Sequence, residues 1–367
     1  MKVLVVEPYF GGSHRAFIES LCRHSQHQFS LATLPARHWK WRMRSSPLAI
    51  LEAVKASIDE HGIPDGVLCT DMLDLPTWLG LIARSADFAG LLEVPVVAYF
   101  HENQWAYPTA PGARVDHHYG YTNLLTAIAA DAVWFNSEFN RATFLDGSRQ
   151  FLERMPDGTA SHDLAAVAAK SVVIAPGFEP CPIEHEPHEG RLRIGWVGRF
   201  EHDKRPDRFL QLLEALRRRD FEFELILLGP RDDSHEVLNQ IRASFADRIL
   251  FDGFANSRDE YWRWLSQMDV VVSTADHEFF GIAICEAISA GAVPMTPNGL
   301  SYTEYVPAEL RYESLDEAAS KFSKLRDPQS RRDRWQQCRR SVAGFESTQL
   351  ASRIDTELIQ LVSLLDR

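Results

Sequence analysis

The feature that most narrows the fold is an alternation that runs twice along the chain: short, almost wholly apolar stretches separated by stretches with helical spacing. In the first series Lys2–Glu7, Phe29–Thr33, Gly66–Cys69, Val94–Phe100 and Ala132–Asn136 read as strands, the first broken at Pro8. After Ser13, Phe17, Ile18 and Leu21 recur three to four residues apart, which predicts a helix. Strands apolar on both faces and alternating with helices indicate a parallel sheet covered on both sides. Pro176–Gly190 carries four prolines and two glycines among acids and histidines, which is linker chemistry. A second series follows. Leu192–Val197, Glu224–Leu228, Ile249–Phe251, Val270–Ser273 and Val293–Thr296 read as strands, with helices over Arg208–Arg217, Glu236–Phe245, Arg258–Met268 and Ile282–Ala290. Ser347–Leu365 ends the chain as a helix whose stripe of Leu350, Ile354, Leu358, Leu361 and Leu365 must be buried somewhere. The expectation is two doubly wound α/β domains facing a cleft, residues 1–175 and 176–345, followed by the helix of residues 346–367.

Charge and composition exclude several classes. With 39 Lys+Arg against 51 Asp+Glu the formal charge is −12, which argues against a protein that coats nucleic acid without selection. No run reaches the roughly 18 apolar residues a membrane helix needs. The start reaches Glu7 after four apolar residues, too soon for a secretory segment. Five cysteines (Cys22, Cys69, Cys181, Cys285, Cys338) form no CxxC pair and read as reduced thiols of a cytoplasmic protein.

Chemistry concentrates in a few places. Gly11-Gly12-Ser13-His14 opens a helix after the first strand, where backbone N–H groups can approach an anion; a plain tight turn fits it equally. Gly198-Arg199 and Lys204 follow the first strand of the second series and would set two cations at a diphosphate, or be ordinary surface charges. Glu278 and Glu286 flank Phe280-Gly281-Ile282 at a helix start, and two carboxylates along one wall suit a polyhydroxylated ligand. His101 ends the strand Val94–Phe100 beside Glu102-Asn103-Gln104. Arg37, Trp39, Lys40, Trp41, Arg42 and Arg44 put four positive charges and two tryptophans within eight residues, which suits phosphates and splayed-out bases, or an amphipathic surface loop. Arg331, Arg332, Arg334, Arg339 and Arg340 read as a solvated helix face. Neither Cys181 with His185 and His188 nor His117-His118 offers a full ligand set, and there is no Asp-x-Asp pair, so no metal is expected.

Together these parts resemble the retaining glycosyltransferases of the GT-B fold often called family four: the Gly-Gly turn, the Gly-Arg…Lys group, and Glu278 and Glu286 separated by seven residues. That resemblance implies that Arg199 and Lys204 hold the donor diphosphate and that Glu286 holds its ribose. It implies that Glu278 with Phe280, Gly281 and Ile282 holds the sugar, that His101 lies near donor sugar and acceptor, and that the last helix crosses back to the N-terminal domain. Glu7–His14, Leu34–Arg44, Tyr99–Gln104, Tyr119-Gly120-Tyr121 and Phe135-Asn136-Ser137 further resemble the tRNA-queuosine mannosyltransferases. That narrower likeness implies an N-terminal acceptor domain for tRNA-Asp and a C-terminal nucleotide-sugar domain. It implies retaining transfer of mannose from GDP-mannose to the cyclopentenediol of queuosine at the anticodon wobble position. It also implies no cofactor, no membrane and a monomer, with His14, Arg37–Arg44, Asn103, Gln104, Tyr119 and Tyr121 on the RNA side. Two departures stand: Pro176-Gly177-Phe178-Glu179 replaces the usual Asn-Gly-Val-Asp, and Arg149–Ala169 matches no pattern. The residues alone leave open another acceptor (a small glycoside or lipid), a nucleotide-sugar-binding protein without turnover, or an epimerase.

Overall fold

A computed structural model describes residues 1–107, 116–156, 161–183, 190–230 and 235–365. The chain divides into two compact units, Met1–Gly177 with Ser347–Arg367, and Phe178–Glu346. Unit 1 contains β1 (Lys2–Phe10), β2 (Gln28–Pro35), β3 (Gly66–Thr70), β4 (Val96–Phe100), β5 (Ala132–Phe135) and β6 (Ser171–Val173) in one parallel sheet of order β2-β1-β3-β4-β5-β6. Unit 2 contains β7 (Leu192–Val197), β8 (Phe223–Leu228), β9 (Ile249–Gly253), β10 (Val270–Val272), β11 (Val293–Pro297) and β12 (Arg311–Tyr312), again parallel, in the order β12-β11-β10-β7-β8-β9. Strand order reverses between β1 and β3 in the first sheet and between β7 and β10 in the second. In open α/β sheets, ligands bind outside the carboxyl ends of the strands at such a reversal.

Side chains of successive strand residues point to opposite faces, so an apolar run fills two layers at once. Val3 and Val5 pack with Phe17, Ile18 and Leu21 of helix α1 (Gly12–His24), while Leu4 and Val6 face Ile50, Val54 and Trp78. The terminal helix Ser347–Leu365 joins the first of these layers through Leu350, Ile354 and Leu358, with Leu361 packed against it; the side chain of Leu365 lies outside the described residues. Asp355 fixes this helix to the turn after α1, accepting the Gln26 N–H at 2.9 Å and the Ser25 hydroxyl. The stripe is therefore buried within unit 1.

Several expectations need correction. Pro8 does not end the first strand: β1 runs to Phe10, and the missing N–H appears instead as a register shift between Glu7 and Phe10. β4 starts at Val96 because the preceding Ala86–Glu93 is a 3-10 helix and Val94 caps it. β6 and β12 were not anticipated, since three and two residues are too few to show a period. Arg331 is not on a solvated face. Its helix, Pro328–Val342, packs on Ile282–Ser289, where Trp335 Nε1 donates to Ile288 O at 2.7 Å. Arg331 is thus turned inward to pair with Asp269 at 3.3 Å. Within Arg149–Ala169, residues 157–160 lie outside the described residues, as do residues 184–189 of the linker with His185 and His188.

Ile354→Ala should lower the stability of the chain to urea by about 2–5 kcal/mol through the cavity it leaves. Ile359→Ala, at a position 49% exposed, should change it by less than about 0.5 kcal/mol.

Candidate active site

In unit 1 the carboxyl ends of β1, β3 and β4 bring together Glu7, His14, Asp71 and His101, all buried. Gly11 lies at the turn into α1, where a Cβ would sit 2.5 Å from the Ala36 Cβ, so only glycine allows this approach. Gly12 follows at φ 53°. The turn aims His14 back at the sheet, with Nδ1 2.9 Å from Glu7 Oε2. Glu7 Oε1 accepts the Tyr9 N–H at 2.6 Å. Burial opposes a charged imidazole, but the Glu7 contact, with Asp71 and Glu102 behind it, overrides burial and raises the His14 pKa to about 9. The His14 ring lies 4.0 Å from that of His101, centroid to centroid. Burial, and then the His14 charge, hold His101 well below the ordinary histidine range. The His101 backbone N–H donates to Asp71 Oδ1 at 2.9 Å, while His101 Nε2 has no hydrogen-bond partner among the described residues. Asp71 is pushed up to about 7 by burial; His14 acts against this, and Glu102 and Glu7 add to it.

Glu7, His14 and His101 place ligand-type atoms within 4.8 Å of one another. His14, protonated below about pH 9, has no lone pair to offer a metal, and Glu7 meets it and the Tyr9 N–H. The trio therefore reads as an ion pair with a neutral imidazole stacked on it.

Asn103 is buried and fully engaged. Its Nδ2 donates to Asn140 Oδ1 at 2.8 Å and to Thr143 Oγ1 at 3.0 Å, and its Oδ1 accepts the Trp105 and Ala106 N–H groups. It shapes the segment after β4 and presents no polar atom outward. Gln104 is half-buried and donates to Glu102 Oε1 at 3.0 Å. The basic segment is a helix, α2 (Trp39–Ala49), with His38 before it in the left-handed region at φ 49°. Met43, Trp39 and Tyr119 turn inward, packing with Tyr9 and Met72. Arg37, Lys40, Trp41 and Arg44 are exposed, Trp41 by 67%. Arg42 is half-buried and donates to Pro35 O at 3.0 Å. Arg44 lies over the Tyr119 ring at 5.3 Å and 3.9 Å from Asp116. Tyr121 is exposed beside Phe151, with ring centroids 5.6 Å apart.

In unit 2 the carboxyl ends of β7 and β10 hold the second group. Gly198 ends β7, and Arg199, largely exposed, pairs with Glu201 at 3.0 Å. Lys204 Nζ contacts Glu278 Oε2 at 3.0 Å, His277 O at 3.1 Å and Asp203 Oδ2 at 3.3 Å. Burial works against that ammonium, but Glu278 and Asp203 prevail and its pKa is raised. Gly281 adopts φ 86°; a Cβ there would come 2.7 Å from the Tyr305 hydroxyl, which donates to Phe280 O at 2.7 Å. From this turn the helix Ile282–Ser289 starts, its first bond running from Ile284 N–H to Gly281 O at 2.9 Å. On it, Glu286 is buried, with Oε1 2.5 Å from Arg258 Nη2 and Oε2 accepting the Tyr261 hydroxyl at 2.6 Å.

Unit 1 thus brings Gly11, Gly12, His14 and His101 together at its strand ends, with the basic residues on α2 instead, and unit 2 brings Lys204 to Glu278. The sequence reading missed Glu7, Asp71, Arg258 and Tyr261 as members. A signal existed for Glu7: an acid that directly follows the apolar run Val3–Val6 in a strand must be paired if buried. Arg258 and Tyr261 carry no such mark until the helix that holds them is placed.

The fold is shared with solved structures. Sucrose-phosphate synthase from Thermosynechococcus elongatus superposes with a TM-score of 0.70 over 99% of both chains at 15% identity. The Anabaena protein HepE, solved with UDP, gives 0.69 over 98% of this chain and all of that one, also at 15% identity. These likenesses give the GT-B fold; the class, a glycosyltransferase, comes from residues 182–335, which match the family described as glycosyl transferases group 1. Residues 2–178 match the family described as tRNA-queuosine alpha-mannosyltransferase N-terminal. The tRNA-queuosine alpha-mannosyltransferase of Drosophila melanogaster is 32% identical over 333 residues, 87% of this chain and 85% of that one. A GDP-mannose:cellobiosyl-diphosphopolyprenol alpha-mannosyltransferase of Xanthomonas oryzae pv. oryzae is 27% identical over 189 residues, 49% of this chain and 48% of that one. The chain belongs to the tRNA-queuosine alpha-mannosyltransferase family. Among the described residues, no helix is long and apolar enough to cross a membrane.

His14 binds its proton more tightly folded than unfolded, so its contribution to stability is present below pH 6.5 and is lost as pH rises through about 9. Thermal unfolding should show stability falling over that window, with Asp71, Glu102, Glu7 and His101 as the facing titratable groups. The fall should shrink in Glu7→Gln.

Proposed function

We propose that the chain transfers mannose from GDP-mannose to a hydroxyl of the queuosine cyclopentenediol at the wobble position of tRNA-Asp, with retention and without a metal. The observation that carries this reading is the family-specific N-terminal match over residues 2–178, which contains the buried Glu7–His14 pair and the exposed face of α2. The donor assignment is supported by the Lys204–Glu278 contact and by the name of the Xanthomonas relative, an alpha-mannosyltransferase that uses GDP-mannose.

On this reading unit 1 (about residues 1–175) serves the acceptor and unit 2 (about residues 176–345) the donor. Arg199 and Lys204 leave their carboxylates for the diphosphate, and the N–H groups before Ile284 add partial positive charge, so the leaving group is neutralised without a metal ion. Glu278, released by Lys204, accepts from sugar hydroxyls with the backbone of Phe280–Ile282, and Glu286 takes the ribose. The bond between the anomeric carbon and the phosphate oxygen breaks as the acceptor oxygen attacks on the same face. The acceptor proton passes to the departing phosphate, so no protein nucleophile is needed. His101, kept neutral by burial and then by the charged His14 beside it, orients the sugar or the acceptor hydroxyl.

Trp41 would stack on a splayed base while Arg37, Lys40 and Arg44 meet phosphates. Trp39 and Tyr119 hold α2 in place, and Asn103 shapes the loop after β4. The net charge of −12 over the whole chain, this basic segment included, would then limit indiscriminate RNA binding.

Queuosine-modified tRNA incubated with a panel of nucleotide sugars should gain one hexose on the modified nucleoside with GDP-mannose, equally in EDTA. No gain with any donor would overturn the reading. Replacing Arg37, Lys40, Arg42 and Arg44 together by Ala should weaken tRNA binding and flatten the log–log salt slope by about 3. GDP-mannose binding should be unchanged, as filter and calorimetric titrations would show.

A further inference from the structure

Glu286 is set in a way its assigned role does not require. Arg258 and Tyr261 lie three residues apart on the helix Arg258–Leu265 and so share one face. Each occupies a different oxygen of the Glu286 carboxylate, Arg258 Nη2 at Oε1 and the Tyr261 hydroxyl at Oε2. The guanidinium is itself fixed, lying 4.2 Å over the Trp262 ring and 5.0 Å over that of Tyr261. Tyr261 is held well above the ordinary tyrosine range, first by burial and then by Glu286, so it stays a donor. A carboxylate has about four lone-pair sites. With one taken on each oxygen, one acceptor site remains on each, and the two contacts together favour one orientation of the group.

Two acceptor sites held side by side match two vicinal hydroxyls. We propose that Arg258 and Tyr261 are positioning residues that preset Glu286 for the 2′,3′-diol of a ribonucleotide and make unit 2 discriminate against 2′-deoxynucleotides. The inference rests on the reading that Glu286 takes the donor ribose, and it adds the selectivity and the two residues that produce it. A deoxynucleotide would leave one buried carboxylate site without a donor, the situation in which a site built for a hydroxyl rejects its analogue.

The test is calorimetric binding of GDP and of 2′-deoxy-GDP to the full chain, for the parent and for Tyr261→Phe and Arg258→Gln. The parent should prefer GDP by about tenfold. Each variant should lose several-fold in GDP affinity while keeping its 2′-deoxy-GDP affinity, so the preference narrows. A merely structural role would weaken both ligands alike. That result in both variants, or a parent that binds the two ligands equally, would overturn the inference while leaving the donor reading intact. Absence of GDP binding by the folded parent would overturn both.

Discussion

Everything functional in this protein depends on one constraint: in a parallel sheet every strand ends at the same edge. Helical crossovers return the chain to the amino ends, so the residues that follow the strands collect along the opposite rim. Where strand order reverses, two neighbouring connections leave in opposite directions and open the rim. Between β1 and β3 this brings Gly11, His14 and Asp71 together; between β7 and β10 it brings Gly198, Lys204 and Glu278 together. Residues far apart in sequence become partners because of that rim. Lys204 and Glu278, 74 positions apart, are the clearest case.

A second theme is that the candidate charges are already paired. Lys204 rests on Glu278 and Asp203, Arg199 on Glu201, Glu286 on Arg258, and His14 on Glu7. Burying a lone charge is costly, so a partly closed polar site must keep its ions matched until a ligand supplies other partners. On the proposed function, a donor would replace the Lys204–Glu278 pair by two complementary contacts, cation to phosphate and carboxylate to hydroxyl. The Glu7–His14 pair differs, because it is fully buried and no ligand need separate it. Its His14 ring lies against that of His101, with centroids 4.0 Å apart.

How much was legible follows the same physics. Apolar runs with punctuation gave ten of the strands and the terminal helix, because burial on two faces demands that pattern. Gly281 and Glu278 could be singled out because a helix start after a strand has a composition of its own. Three kinds of feature were hidden. β6 and β12 are too short to be periodic. The segment Arg37–Arg44 resembled a loop because its helix begins at a left-handed His38 and contains Pro47, against the usual capping signals. The burial of Arg331 and the pairing of Arg258 with Glu286 depend on which helices meet, which no local pattern records.

The central claim is that the pre-paired charges of unit 2 exchange partners when donor binds. A crystal structure of the protein with GDP-mannose tests it most directly. The account predicts Lys204 Nζ on a phosphate oxygen, and Glu278 moved from its 3.0 Å contact with that nitrogen onto sugar hydroxyls. An intact Lys204–Glu278 pair with the donor bound elsewhere would contradict it.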